Sequence, residues 1–209
     1  LSAGFYLPVL NKVCFEAEKV LIPGMNVLDA GCGEGYYLSG LEQRFGEKLN
    51  CYGIDISKDA VRFATRRSRK ISWITATSAH IPFKDGVFDL LISMFAPVEG
   101  KEFWRVLKAD GYFLQVSAGE NHLIELKEII YPEIVRKEKE TSAEIKGFSL
   151  KGHEKISFTV ALEKSNDVMA LFSMTPHFWR ISKEGAKAIK NTKCLTTTAE
   201  VVFNLYQKA

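Results

Sequence analysis

Asp29, Gly31, Gly33 and Gly35 stand at alternate positions in Val27-Leu28-Asp29-Ala30-Gly31-Cys32-Gly33-Glu34-Gly35-Tyr36, where an apolar run enters a glycine-rich turn and then a helical pattern. A backbone can lie flat against a ligand only where no Cβ intervenes, so glycines at this spacing read as a cofactor-binding turn. A dinucleotide fingerprint would carry its third glycine at position 36, which is Tyr36. Asp29, two residues ahead of the first glycine, would repel a pyrophosphate and suits a cationic ligand. Twenty residues after Gly35, Asp55 ends the apolar segment Cys51-Tyr52-Gly53-Ile54. At that distance a carboxylate on the tip of a second strand accepts hydrogen bonds from ribose hydroxyls. Either piece alone has a plainer reading, since glycines also allow tight packing and an aspartate after a strand also caps helices.

The elements that would position these residues alternate as a parallel α/β sheet requires. An amphipathic helix over 7–21 precedes apolar runs near 25–30, 50–55, 72–76, 87–93 and 111–117, separated by helical patterns near 34–45, 57–68 and 99–108. The runs are continuously apolar, as in strands buried on both faces. A helix at about 120–131 follows. Ile156 to Leu162 and Thr196 to Tyr206 then alternate in period two, with helices over Asn166 to Met174 and Lys183 to Lys190 between them. The charged run Arg136-Lys137-Glu138-Lys139-Glu140 reads as an exposed helix end or loop.

Together the glycine turn and Asp55 resemble the S-adenosylmethionine (SAM) site of class I methyltransferases. In Thr75-Ala76-Thr77-Ser78-Ala79-His80-Ile81-Pro82-Phe83 the third strand ends in small polar residues before an I-P-F turn, and the resemblance implies that Thr77 offers its side chain and Ser78 its backbone N–H to the adenine. It implies cofactor contacts from Ile56 and Ser93 as well, and from Tyr6 to the SAM carboxylate. Phe103-Trp104-Arg105-Val106-Leu107-Lys108-Ala109-Asp110-Gly111-Tyr112 is similar to the R-V-L-K-P-G-G turn before strand five, with Ala109 and Asp110 replacing Pro and Gly. The fold implied is a Rossmann-like seven-stranded, mostly parallel sheet with an antiparallel C-terminal strand and helices on both faces.

Composition agrees with one enzyme domain over 1–209, divided into a SAM-binding core (1–118) and substrate-recognition elements with the closing strands (119–209). The chain has 209 residues, 46% of them hydrophobic, and a formal charge of +3, too small to establish a nucleic-acid partner by itself. Charge placement says more. Lys58, Arg62, Arg66, Arg67, Arg69 and Lys70 oppose only Asp59, and Arg180, Lys183, Lys187, Lys190 and Lys193 oppose only Glu184; either patch could be a solvated helix face. Cys14, Cys32, Cys51 and Cys194 form no C-x-x-C pair or disulfide pattern, which suits a reduced, cytoplasmic setting. No membrane span or signal peptide is visible, and no metal cluster is expected.

Three further segments resemble the bacterial 23S rRNA (guanine-N1)-methyltransferases, which modify a hairpin guanine near the macrolide-binding region: Ala3-Gly4-Phe5-Tyr6-Leu7-Pro8-Val9, His122-Leu123-Ile124-Glu125-Leu126-Lys127-Glu128-Ile129-Ile130-Tyr131-Pro132-Glu133, and Met174-Thr175-Pro176-His177-Phe178-Trp179-Arg180. The resemblance covers essentially the whole chain. It implies SAM as cofactor and 23S rRNA as partner, with zinc only in an upstream cysteine-rich module that a chain starting at Leu1 is expected to follow. Phe178 and Trp179 would offer aromatic faces to an extruded base and Arg180 a phosphate contact. The other reading is a hydrophobic cluster with Trp179 buried and Arg180 on a carboxylate. Guanine N1 needs its proton removed, and His122, Glu125 and His177 are the candidate bases. Ser93-Met94-Phe95-Ala96-Pro97 lacks the N-P-P-Y-type motif of amino-group methyltransferases, and Phe95 and Pro97 would line the channel to the base. The same cofactor signals would serve a small-molecule methyltransferase, such as one for a quinone precursor. They would also serve a silent SAM- or RNA-binding protein.

Overall fold

A computed structural model of the chain describes residues 4–134 and 144–209. Its sheet contains β1 (Asn26–Ala30), β2 (Asn50–Asp55), β3 (Ser72–Thr75), β4 (Phe88–Met94), β5 (Leu107–Ala118), β6 (Phe148–Leu162) and β7 (Leu195–Lys208), in the order β3-β2-β1-β4-β5-β7-β6. β1 to β5 are parallel to one another, and the C-terminal strand is antiparallel. From β1 the chain builds outward to β2 and β3, then returns to lay β4 and β5 on the other side. The strand order therefore reverses between β1 and β4, and in open α/β sheets ligands bind at such a switch point, outside the carboxyl ends of the strands. The glycine turn and the Ser93–Pro97 segment both leave the sheet there.

Helices α1 (Leu7–Glu18), α2 (Tyr36–Phe45), α3 (Lys58–Arg67) and α4 (Gly100–Val106) accompany these strands. Ser57 caps α3 by accepting the Ala60 N–H, while Val61 and Ala64 are the residues α3 buries. β1 and β4 are almost wholly buried, which explains their unbroken apolar runs. Leu28, Ile54, Phe88, Leu91, Phe103 and Phe113 form the centre of the core, with the Phe103 and Phe113 rings 5.1 Å apart.

Two compact units emerge. One holds residues 4–117, 144–154 and 202–209; the other holds 118–134 and 155–201. Within the second, α5 (Ile124–Ile130) and α6 (Ser165–Ser173) both pack against α7 (Lys183–Asn191), and a 3-10 turn (Pro176–Trp179) packs against α6. No described helix is long and apolar enough to cross a membrane.

Three elements differ from the sequence expectation. The turn anticipated before strand five is a bulge inside it: Phe88 pairs with Leu107, Leu90 with Tyr112, and Asp110 between them takes a left-handed φ of 60°. Lys108 holds that bulge by bonding both carboxylate oxygens of Asp89 at 2.8 Å. Helix α5 begins only at Ile124, because Gly119 and Asn121 are held instead by Glu200. β6 starts at Phe148, eight residues before the expected Ile156, since Lys151, Glu154 and Lys155 hide an edge strand's alternation behind charge. The charged run 136–140 lies outside the described residues.

Candidate active site

Asp29, Gly31, Gly33 and Gly35 follow one another from the last turn of β1 into α2, and all three glycines have positive φ, at 88°, 54° and 75°. Their reasons differ. A Cβ on Gly31 would sit 2.8 Å from that of Ala96, and one on Gly35 would sit 2.5 Å from the Trp73 ring. Only Gly33 has nothing within 4 Å of where its Cβ would be. Besides any ligand approach, two of the glycines let Ala96, just after β4, and Trp73 of β3 close onto the turn, and Gly33 faces open space.

Asp55 stands across from that opening. Its Oδ2 accepts the Gly33 N–H and its Oδ1 the Ser57 N–H, each at 2.8 Å. A carboxylate has about four acceptor sites, so two remain for hydroxyls of a ligand. Ile56, beside it, is 76% exposed and presents bare apolar surface. In the next loop the Thr77 hydroxyl accepts the Ala79 N–H at 3.2 Å and shapes the turn, whereas the Ser78 N–H meets no acceptor among the described residues.

Asp29 is buried, and its carboxyl is pushed up to about 7 by that burial and then by the negative charge of Asp55. Among the described residues its Oδ1 has no hydrogen-bond partner, and neither has the buried Oγ of Ser93, one residue beyond the Ile92 that pairs with Asp29 across β1 and β4. Leaving such groups unmet costs about 1–3 kcal/mol each. Two orphaned polar groups at the switch point, a carboxylate oxygen and a hydroxyl, beside a glycine with open space before it, fit a ligand that brings an ammonium group and ribose hydroxyls. Burial raises the Tyr6 hydroxyl to about 12, and it raises Tyr37 as well, with Tyr6, Tyr36 and Asp29 adding to the effect on Tyr37. The Tyr6 ring meets Phe95 edge-on at 6.4 Å. Phe95 is 43% exposed with φ of 53°, a conformation rarely adopted by a bulky residue, and its N–H is held by the Val116 carbonyl at 2.8 Å. Pro97 follows two residues later. Cys32 and Cys51 are buried with their thiols pushed upward, Cys51 to about 12, which makes them apolar filler.

In the second unit the candidate bases separate by their partners. The Glu125 carboxylate accepts the Thr198 N–H at 2.8 Å, the Thr198 hydroxyl at 2.8 Å and the Thr197 hydroxyl at 3.0 Å. Burial alone would raise it, but these bonds outweigh burial and hold it below the usual carboxylate range. As a proton acceptor it is poorly placed, and its evident work is fastening α5 to β7. His122 Nδ1 lies 2.8 Å from the Glu200 carbonyl oxygen, which can only accept, so Nδ1 carries a proton. His177 Nδ1 is 2.9 Å from the Tyr131 hydroxyl.

Glu200 and Tyr131 are functional candidates that sequence reasoning missed. The Glu200 carboxylate takes the Asn121 backbone N–H at 3.1 Å and pairs with Lys155 at 3.4 Å, and a Cβ on Gly119 would collide with it. A charged residue amid the buried run of β7 was the available signal. Phe178 packs on Phe172 and meets Trp179 edge-on at 5.1 Å, yet Trp179 remains 82% exposed. Arg180 is exposed with no carboxylate partner among the described residues. The buried-cluster reading of this segment thus fails for Trp179 and Arg180. Among the described residues no group of three or more His, Cys, Asp or Glu could hold a metal.

Comparisons with known proteins agree with this geometry. Residues 27–111 match the family model described as a methyltransferase domain. The chain is 30% identical to "Putative 23S rRNA (guanine-N(1)-)-methyltransferase YxjB" of Bacillus subtilis, over 96% of this chain and 73% of that one. It is 28% identical to the 23S rRNA (guanine(748)-N(1))-methyltransferase of Streptomyces fradiae, over 86% of this chain and 65% of that one. The crystal structure of YcgJ from Bacillus subtilis superimposes with a TM-score of 0.62 at 18% identity, covering 95% of this chain and 97% of that one, a likeness of fold alone. The sheet order, the glycine turn facing two orphaned polar groups and the near-complete alignment with YxjB converge: the chain belongs to the 23S rRNA (guanine-N1)-methyltransferase family of class I SAM-dependent methyltransferases.

Proposed function

We propose that this protein methylates N1 of a guanine in a hairpin of 23S rRNA, in the cytoplasm. The observation that carries the reading is Trp179: an indole 82% exposed, followed by an exposed Arg180 without a carboxylate partner among the described residues, sets a stacking face beside a free cation. It suits stacking on an extruded base, worth roughly 1–3 kcal/mol, with a phosphate held alongside. The two relatives' names specify the same reaction.

The roles follow from the partners already described. Gly33 leaves room for the cofactor, Asp55 accepts its ribose hydroxyls, Ile56 and the Ser78 N–H meet the adenine, and Asp29, Ser93 and Tyr6 receive its amino-acid end. SAM supplies an electrophilic methyl group on a sulfonium sulfur. Guanine N1 becomes nucleophilic only when its proton leaves, and His122 would be the group that accepts it. Phe95 and Pro97 wall the path of the base. The test is transfer of tritiated methyl from SAM to an unmodified 23S rRNA hairpin, with mass spectrometry of nuclease fragments. One methyl on a guanine, blocking Watson–Crick pairing, is expected. Transfer to quinone precursors but not RNA, or SAM binding without transfer to either, would overturn the proposal.

A further inference from the structure

The outward face of α7 is a row of cations. At about 3.6 residues per turn, Lys183, Lys187 and Lys190 fall on one side of this helix and Gly185 and Ile189 on the other. Gly185 and Ile189 are buried, and a Cβ on Gly185 would collide with the Ile130 backbone oxygen, so the glycine side is locked onto α5. The lysine side is exposed along its length, with Lys193 just beyond the helix and Trp179 and Arg180 just before it. None of these five cations has an ion-pair partner among the described residues. The other basic helix is unlike it: on α3, Arg62 pairs with Asp59 at 3.5 Å and Arg67 with Glu34 at 3.3 Å, and Arg66 lies over the Phe63 ring at 5.5 Å.

Resting on the RNA reading above, we infer that the Lys183-Lys187-Lys190 face of α7 is the phosphate track for the RNA strand adjoining the extruded base. Along the helix axis Lys187 stands about 6 Å from Lys183 and Lys190 about 4.5 Å further on, spacings within reach of consecutive phosphates of one strand for long, flexible side chains. Unpaired ammonium groups projecting into solvent lose little on meeting a phosphate and release its condensed counterions. In sequence the row begins three residues after Arg180, so a strand whose base stacks on the Trp179 indole can carry its next phosphates toward α7. These contacts read no sequence; they fix register and hold the strand while Trp179 holds the base.

Binding of the full chain to the 23S rRNA hairpin is measured across a salt series for the parent, for K183Q/K187Q/K190Q, and for K58Q/R66Q/R69Q on and just after α3, which removes the same charge elsewhere. Loss of three phosphate contacts should flatten the slope of log K against log salt by roughly 2 to 3 and weaken binding about tenfold or more at moderate salt. SAM affinity and melting temperature should stay at parent values in both variants, and the α3 variant should keep most of the parent slope. An unchanged slope in the α7 variant, with the parent still methylating the hairpin, sinks the phosphate track and leaves the RNA reading intact; a face that serves an acidic protein would give this outcome. Equal losses in both variants would show net charge acting without a track. A parent that binds no RNA at any salt sinks both.

Discussion

The Asp55 carboxylate accepts the Gly33 backbone N–H at 2.8 Å, joining the tip of β2 to the one glycine of the β1 turn that faces open space. The acid that would receive a ribose therefore also sets the shape of the loop against which that ribose lies. Cradle and contact are one unit, and their contributions to SAM binding should not separate by single substitutions.

Asp55→Ala should weaken SAM binding by roughly 1–3 kcal/mol, through lost charge-assisted bonds and a loosened turn. Gly33→Ala should also impair SAM binding, with a modest stability loss of about 1–2 kcal/mol from the left-handed φ. Gly35→Ala differs in kind: its Cβ meets the Trp73 ring, so the melting temperature should fall most in this variant. Calorimetric titration with SAM, paired with thermal melts, distinguishes lost binding from lost stability. An Asp55→Ala protein with parental SAM affinity would remove the ribose assignment.

Asp29 predicts a pH dependence whose sign can be worked out. Its folded carboxyl sits at about 7 against an ordinary value of 3.8, so between those values the folded state holds more protons than the unfolded one. Stability of the ligand-free protein should consequently fall as pH rises from about 4 to 7, and Asp29→Asn should flatten that fall. SAM affinity should move the opposite way, rising up to about pH 7 as the carboxyl ionises to meet an ammonium, with proton release on binding below that pH. Titrations in buffers of different ionisation enthalpy measure the released proton. Affinity that is flat from pH 5.5 to 8 would show that Asp29 does not ionise on binding.

The first five strands and their helices were legible because buried parallel strands write themselves as apolar runs, and Asp29 and Asp55 because acids at strand ends stand out against those runs. The cause of each glycine was not legible: Gly35 is small because of Trp73, which lies on β3 and meets it only in the folded sheet. Glu125 looked like a base because Thr197 and Thr198, which take up its oxygens, are more than seventy residues away. Trp179 gave the reverse difficulty. An aromatic beside a proline reads equally as core or surface, and only its exposure in the fold decides between them.

His122 and Glu125 should fail differently when changed. His122→Gln leaves an amide unable to accept a proton at neutral pH, so methyl transfer to the hairpin should drop by about 10²–10⁴-fold while SAM affinity and stability stay near parental. Glu125→Gln places an amide NH₂ against the donors of Thr197 and Thr198 and should cost about 1–3 kcal/mol of stability. Its rate should fall only as far as His122 is displaced. Single-turnover rates for both variants, beside their melting temperatures, distinguish a base from a fastening: a Glu125→Gln protein that folds as well as the parent yet loses as much rate as His122→Gln would transfer the proton-acceptor role to Glu125.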